Sequence, residues 1–343
     1  MKKICNCHQI AKCLSFAILL FSFISCTSEA EDGPNQSAQN LMYYFDRKDN
    51  GNLQVYSYDG AEEVNLVNDN AYDYWWIKVN PSKTKFLCYR SPKGAGLNSY
   101  TVSELMVFNI DGSNGQVIVP KNANGWELQA HAKWSPDGTK ILGTAKCKDP
   151  EINDLVARGR VVIFNADGSN PIIASKFLHD IADPAWSNDG TKVVYVGPSD
   201  LNDPGNPEKA EIYQAAINST TMHLQNPVRL TYDDKYCYDP VWSPDGNWIA
   251  YSKGAFANLF VTVDHDIYKC KPDGSQDVLV LADGKVNGVP SWTPDGTRLV
   301  FHVLGLFNPP PFSLYSCSAN GGDKKVILST NGFERSTVSA MSK

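Results

Sequence analysis

Clustered basic charge is missing from this chain. Its 31 Lys and Arg are outnumbered by 37 Asp and Glu, for a formal charge of -6, and no stretch gathers the cations into a stripe. Neutralising a phosphate backbone needs such a stripe, so nucleic acid is not expected as a partner. Long apolar runs are scarce as well. The run from Leu14 to Ile24 has 11 residues, too few for a helix to cross a hydrocarbon core of about 30 Å. The sequence also has no G-x-S-x-G elbow, H-E-x-x-H pair or phosphate-binding glycine loop, so no cofactor, assigned metal or catalytic residue is expected. Cysteine gives little. Of nine, Cys5, Cys7 and Cys13 lie in the first 25 residues and Cys26 directly follows them. The remaining five, Cys88, Cys147, Cys237, Cys270 and Cys317, are odd in number and show no CxxC spacing, so they read as buried thiols.

What is present at the N-terminus is a leader. Lys2, Lys3 and Lys12 precede the uncharged apolar run, and a small residue, Ser25, precedes Cys26. The sequence "FISC" resembles the lipobox of bacterial lipoproteins, which implies that 1–25 is removed and that Cys26 carries the lipid. Residues 26–40 are polar, aperiodic and broken by Gly33 and Pro34, the composition of a flexible tether. The acidic cluster Glu29, Glu31 and Asp32 resembles the export signal of Bacteroidetes-type surface lipoproteins. Both resemblances imply a cell-envelope protein anchored to the outer membrane, on its periplasmic or its outer face. Losing the leader removes three lysines and no acids, which takes the formal charge to -9.

Residues 41–343 repeat. "AKWSPDGTKILGTA" returns as "AWSNDGTKVVYVG", "VWSPDGNWIAYS" and "SWTPDGTRLVFH", and a fainter copy stands at "KVNPSKTKFLCY". Aligned on the Trp, the register positions are Val79, Trp134, Trp186, Trp242 and Trp292, spaced by 55, 52, 56 and 50 residues. A second element, typified by "RVVIFNADGSNPIIA", occurs six times. Each period reads as four short alternating strands joined by tight Asp-Gly turns, because Gly takes positive φ cheaply and Asp caps its own turn. Four antiparallel strands in about 50 residues describe a β-propeller blade. The expected fold is therefore all-β, a six-bladed propeller in which 335–341 supplies the inner strand of the first blade and closes the ring.

The pattern P-x-W-S-P-D-G-x-x-I-x-Y followed by D-I-Y-x-x-x-x-D-G resembles the TolB-type, or WD40-like PD40, repeat over 41–343. Trp186, Trp242 and Trp292 carry the upstream Pro184, Pro240 and Pro290. The first unit departs from it, with Val79 for Trp and Ser82-Lys83 for Asp-Gly. The resemblance implies an envelope propeller whose repeated tryptophans pack one blade on the next rather than bind a ligand.

Loop length varies on the face opposite the Asp-Gly turns, which is where a rigid scaffold carries function. Trp75, Trp76, Trp126, Tyr236 and Tyr238 are the candidate stacking surfaces there. His131, Asp183 and Asp239, each three residues before a repeat Trp, are expected at the mouth of the central channel. Flat aromatic faces with convergent polar groups suit a glycan or peptide, so the expected activity is binding, with a protein or glycan partner. The alternative is a metal-dependent polysaccharide lyase. Related propellers include oligogalacturonate lyases that use His and a metal, and His131, His179, Asp183 and Asp239 would suit a divalent ion.

Overall fold

The computed structural model describes residues 41–47, 51–95, 100–129, 131–200, 209–233, 235–255, 264–304, 312–328 and 339–340, all within one compact unit, 38–343. The leader, Cys26, the tether and most of the expected closing strand lie outside the described residues.

Sequence alternation becomes antiparallel ladders. In the first sheet, Ser339–Ala340 pairs with Met42–Arg47, which pairs with Leu53–Tyr58 and then Glu63–Asn65. The second runs Tyr72–Val79, Lys85–Pro92, Glu104–Asn109, Gln116–Val119. Sheet three is centred on Lys140–Asp149 and Asp154–Asn165 and ends at Ile172–Ile173. Its inner strand is split in two, Glu127–Leu128 and Lys133–Trp134, on either side of His131. A twelve-stranded sheet follows, made of three antiparallel sets of four: Ala182–Trp186 to Leu224–Arg229, Tyr236–Trp242 to Val278–Leu281, and Val286–Trp292 to Lys325–Leu328. Among the described residues, the strand pairing between one set and the next is a single parallel bridge, Ala210 to Tyr236 and His265 to Val286.

Among the connections of variable length, the stretch "KCKDPEINDLVARG" is not an irregular loop but the extended end of a hairpin with strands of 10 and 12 residues. Asp149 accepts the Glu151 N–H at 3.1 Å, Pro150 starts a 3-10 turn, and Asn153 takes a left-handed conformation (φ 57) that turns the chain back. Local turn chemistry therefore won over length.

Neighbouring sets of strands interlock through the repeat residues. Trp134, Trp186, Trp242 and Trp292 are all buried. The Trp134 indole donates to the Lys78 carbonyl at 3.1 Å, and Trp292 donates to that of Val241 at 3.3 Å, each reaching back one set. Gly138, Gly190 and Gly296 stand against Pro81, Pro136 and Pro244 of the preceding set, where a Cβ on each glycine would lie 3.7–3.8 Å from the proline ring. Two "DGS" glycines sit closer still: a Cβ on Gly112 or Gly168 would lie 1.9 Å from the carbonyl oxygen of Leu66 or Ile118. The "DGS" glycines are thus required twice, for positive φ (85 and 82) and for this backbone approach. All five described cysteines are buried free thiols, and burial raises each of them, Cys147 and Cys317 to about 11 and Cys270 to about 12.

Candidate functional site

The inner strands share one irregularity. At Trp76, Asp183, Asp239 and Val289 the pairing with the next strand slips, and each of these residues has φ between 51 and 54. His131 occupies the same register with φ 78. All five stand three residues before the Trp position. Left-handed backbone is uncommon for residues with a Cβ and a true outlier for β-branched Val289. Here the irregularity repeats from one inner strand to the next, and bulges re-aim side chains.

The re-aiming brings three sets of strands together. His131 Nε2 lies 3.1 Å from Asp183 Oδ1, its Nδ1 lies 3.2 Å from Asp239 Oδ1, and the Asp239 N–H donates to Asp183 Oδ2 at 3.3 Å. Trp76, from a fourth set, leans on the imidazole, with ring centroids 4.3 Å apart. Both ring nitrogens face carboxylate oxygens, yet neutral imidazole has one N–H, so the second contact needs one further proton or a cation. Burial pushes His131 down to about 4, whereas burial and then the charge of Asp183 push Asp239 up. Burial therefore disfavours charging the ring itself, and a cation seated against the carboxylates would serve in place of the proton.

Two lysines that sequence reasoning overlooked complete the site. Lys78 and Lys133, both half-buried, follow two residues after Trp76 and His131. Burial, then the neighbouring Lys133 charge, lowers Lys78 to about 7; burial also lowers Lys133, while Asp239 and Asp183 oppose that shift. Their signal was the lysine just before Val79 and before Trp134, where the other copies carry Ala185, Val241 and Ser291.

Of the expected stacking surfaces, Trp76 stacks on the cluster, and the charges of Asp183 and Asp239 reach Tyr236 and Tyr238. Trp75 is fully buried and stacks on Tyr89 at 4.8 Å, and is corrected from ligand surface to core, since alternation along the strand turns it inward; Trp126, just before Glu127–Leu128, packs on Phe164 and lines a cavity with Glu127, Lys146 and Asp149. Tyr236 and Tyr238 are half-buried with rings 5.7 Å apart. Tyr238 Oη is 2.7 Å from His265 Nδ1, and His265 Nε2 is 2.7 Å from the Ala255 carbonyl. A carbonyl only accepts, so Nε2 carries the proton and Nδ1 accepts from the phenol. His179 stacks on Phe177 at 5.5 Å and is not in the cluster.

Among the described residues a divalent ion has two places to be tested. Glu211, Asp233 and Cys237 converge, but Arg229 already pairs with Glu211 and Lys253 with Asp233, each at 2.7 Å. His131, Asp183 and Asp239 offer donor atoms at the spacing of ligands around one small cation. Imidazole gives a metal one nitrogen, so such an ion would take His131 with one carboxylate, leaving the other nitrogen to donate to the second. The donor set fits, against the opposition of two nearby lysines.

No protein-family model matches the sequence. Solved structures do resemble this one. A TolB-designated protein of Agrobacterium tumefaciens superposes with a TM-score of 0.60 at 16% identity, over 88% of this chain and 98% of that one. The TolB of Acinetobacter baumannii gives 0.61 at 15% identity, over 88% of this chain and 66% of that one. This chain folds as a TolB-like β-propeller. An oligogalacturonate lyase from Vibrio parahaemolyticus follows at 0.53 and 15% identity, covering 82% of this chain and 73% of that one. An oligogalacturonate lyase in complex with manganese gives 0.55 at 15% identity, over 86% of this chain and 75% of that one. At such identities the likeness is one of fold. In a TolB-like propeller the inner strands line the central channel, and the His131 cluster stands on them.

Proposed function

We propose that the protein is a lipid-anchored, extracytoplasmic binding module without catalytic activity, whose propeller presents the channel mouth to a glycan, peptide or envelope-protein partner. The single observation that carries this reading is the convergence of His131, Asp183, Asp239 and Trp76 from four sets of strands onto one point, built with left-handed backbone at all four. Strain of about 1–3 kcal/mol per residue persists where the surroundings over-determine it, and it clusters at ligand sites. We read the strands as six four-stranded blades. The pairing of Ser339–Ala340 with Met42–Arg47, and its approach to both Tyr72–Val79 and Val286–Trp292, supports ring closure by the C-terminal strand.

The test is direct binding to arrayed glycans and synthetic peptides by the full chain in detergent, repeated with Asp239→Asn and Trp76→Ala. Selective binding that both substitutions weaken at least tenfold supports the reading; binding indifferent to both overturns it. Anchoring is tested separately. Cys26→Ala is expected to abolish labelling by radioactive fatty acid and to release the protein from membranes, and unchanged labelling would refute the anchor.

The second reading, a metal-dependent polysaccharide lyase, is favoured by the donor set of His131, Asp183 and Asp239 and by the likeness in fold to an oligogalacturonate lyase in complex with manganese. It requires a chelator-sensitive melting temperature, because an ion that binds only the folded state stabilises it, together with turnover of a uronate-containing glycan.

A further inference from the structure

Both signs of charge line the proposed channel mouth, and the strands separate them. The amines, Lys78 and Lys133, come from the second and third sheets, and the carboxylates, Asp183 and Asp239, come from the first two sets of the twelve-stranded sheet. Asp239 is buried and Asp183 nearly so. Among the described residues, the Lys133 amine makes no hydrogen bond or ion pair, although the charges of Asp239 and Asp183 reach it. Holding an ammonium half-buried and unpaired is unfavourable, and a ligand oxygen there removes the penalty.

Charge matching narrows the ligand. A simple anion that reaches Lys133 also meets Asp183 and Asp239; a simple cation drawn to the carboxylates meets two lysines, and a divalent ion meets them with twice the repulsion. A ligand carrying both signs a few ångströms apart satisfies both walls. The Trp76–His131 stack supplies an apolar face beside them. We propose that the channel mouth binds a small zwitterion of the amino-acid or short-peptide class, its ammonium against Asp183 and Asp239 and its carboxylate on Lys133. This inference rests on reading the channel mouth as the binding site.

Calorimetric titration of the full chain in detergent, at low ionic strength, tests it with four probes: alanine, dialanine, N-acetylalanine and alanine amide. Alanine or dialanine is expected to bind at least tenfold more tightly than either blocked analogue, and which of the two binds reports the charge separation the site accepts. Lys133→Met, which removes an unpaired cation and so should leave the melting temperature intact, is expected to weaken the zwitterion at least tenfold while sparing alanine amide. Asp239→Asn should remove the preference for a free amine. Equal binding of zwitterion and blocked analogues overturns the inference, as does a response to manganese or calcium chloride with none to the zwitterions. If the glycan and peptide arrays still show binding sensitive to Asp239→Asn, only the ligand class falls; if they too show none, the binding site itself falls.

Discussion

At the residue scale, the repeated Asp of the turn does more than favour a turn. Asp245 accepts from the Ser243 hydroxyl at 2.5 Å and from the Asn247 N–H at 3.0 Å, and Asp137, Asp189 and Asp295 do the same in their copies. These bonds hold all four carboxyls low, Asp245 at about 2. A carboxyl with a depressed folded-state pKa contributes stability above its unfolded value near 4 and loses it as pH falls through the folded value. Asp245→Ala is therefore expected to lower unfolding free energy by about 1 kcal/mol at pH 7, and denaturant midpoints for mutant and wild type should converge as pH drops from about 4 to 2. A constant gap over that window would show that the hydrogen bonds are not responsible. At the channel mouth, His131 should stay neutral at pH 5.5, since burial sets it near 4. Nitrogen chemical shifts of an imidazolium at that pH would show that the two carboxylates outweigh burial. The sequence placed His131, Asp183 and Asp239 together because they share a register, and Asp is among the residues that tolerate the left-handed conformation found there. It could not show that Trp75 turns inward. A bulge shifts the alternation by one residue, and nothing in "YWWI" says which of the two tryptophans follows the slip.

At the scale of strands and turns, the Trp-to-turn hairpins were legible because alternation and Asp-Gly chemistry agree. The long hairpin ending at Asp149 and Asp154 was not, since a loop-like composition hid a ladder held by one capped 3-10 turn. Turn glycines offer a sharper test of the interlock. Gly168→Ala places a Cβ against the Ile118 carbonyl and strains φ, so it should destabilise by more than the ~1 kcal/mol of an ordinary positive-φ glycine. Gly60→Ala is the control, as its φ is also positive and no atom stands within 4 Å of the added carbon. Equal losses at the two positions, measured by chemical denaturation, would show that the contact with Ile118 contributes nothing. The C-terminal strand is tested by ending the chain at Gly332. That cut exposes the backbone edge of Met42–Arg47, and the expected product is insoluble or melts without cooperativity, whereas deleting 28–39 should leave the melting temperature unchanged.

For the whole molecule, each set of strands grips the one before it: Trp134 bonds to Lys78, Trp292 to Val241, Gly168 presses on Ile118, and Gly296 rests on Pro244. This polarity gives assembly a direction in time. A hairpin leaving the ribosome or an export channel finds its socket already made, so docking can follow synthesis without waiting for distant sequence. The first sheet alone breaks the order. Its partner for Met42 and Tyr43 is Ala340 and Ser339, about 300 residues further along the chain. Until that pairing forms, Met42–Arg47 keeps one backbone edge unpaired, and a chaperone that holds nascent strands would have its longest task there.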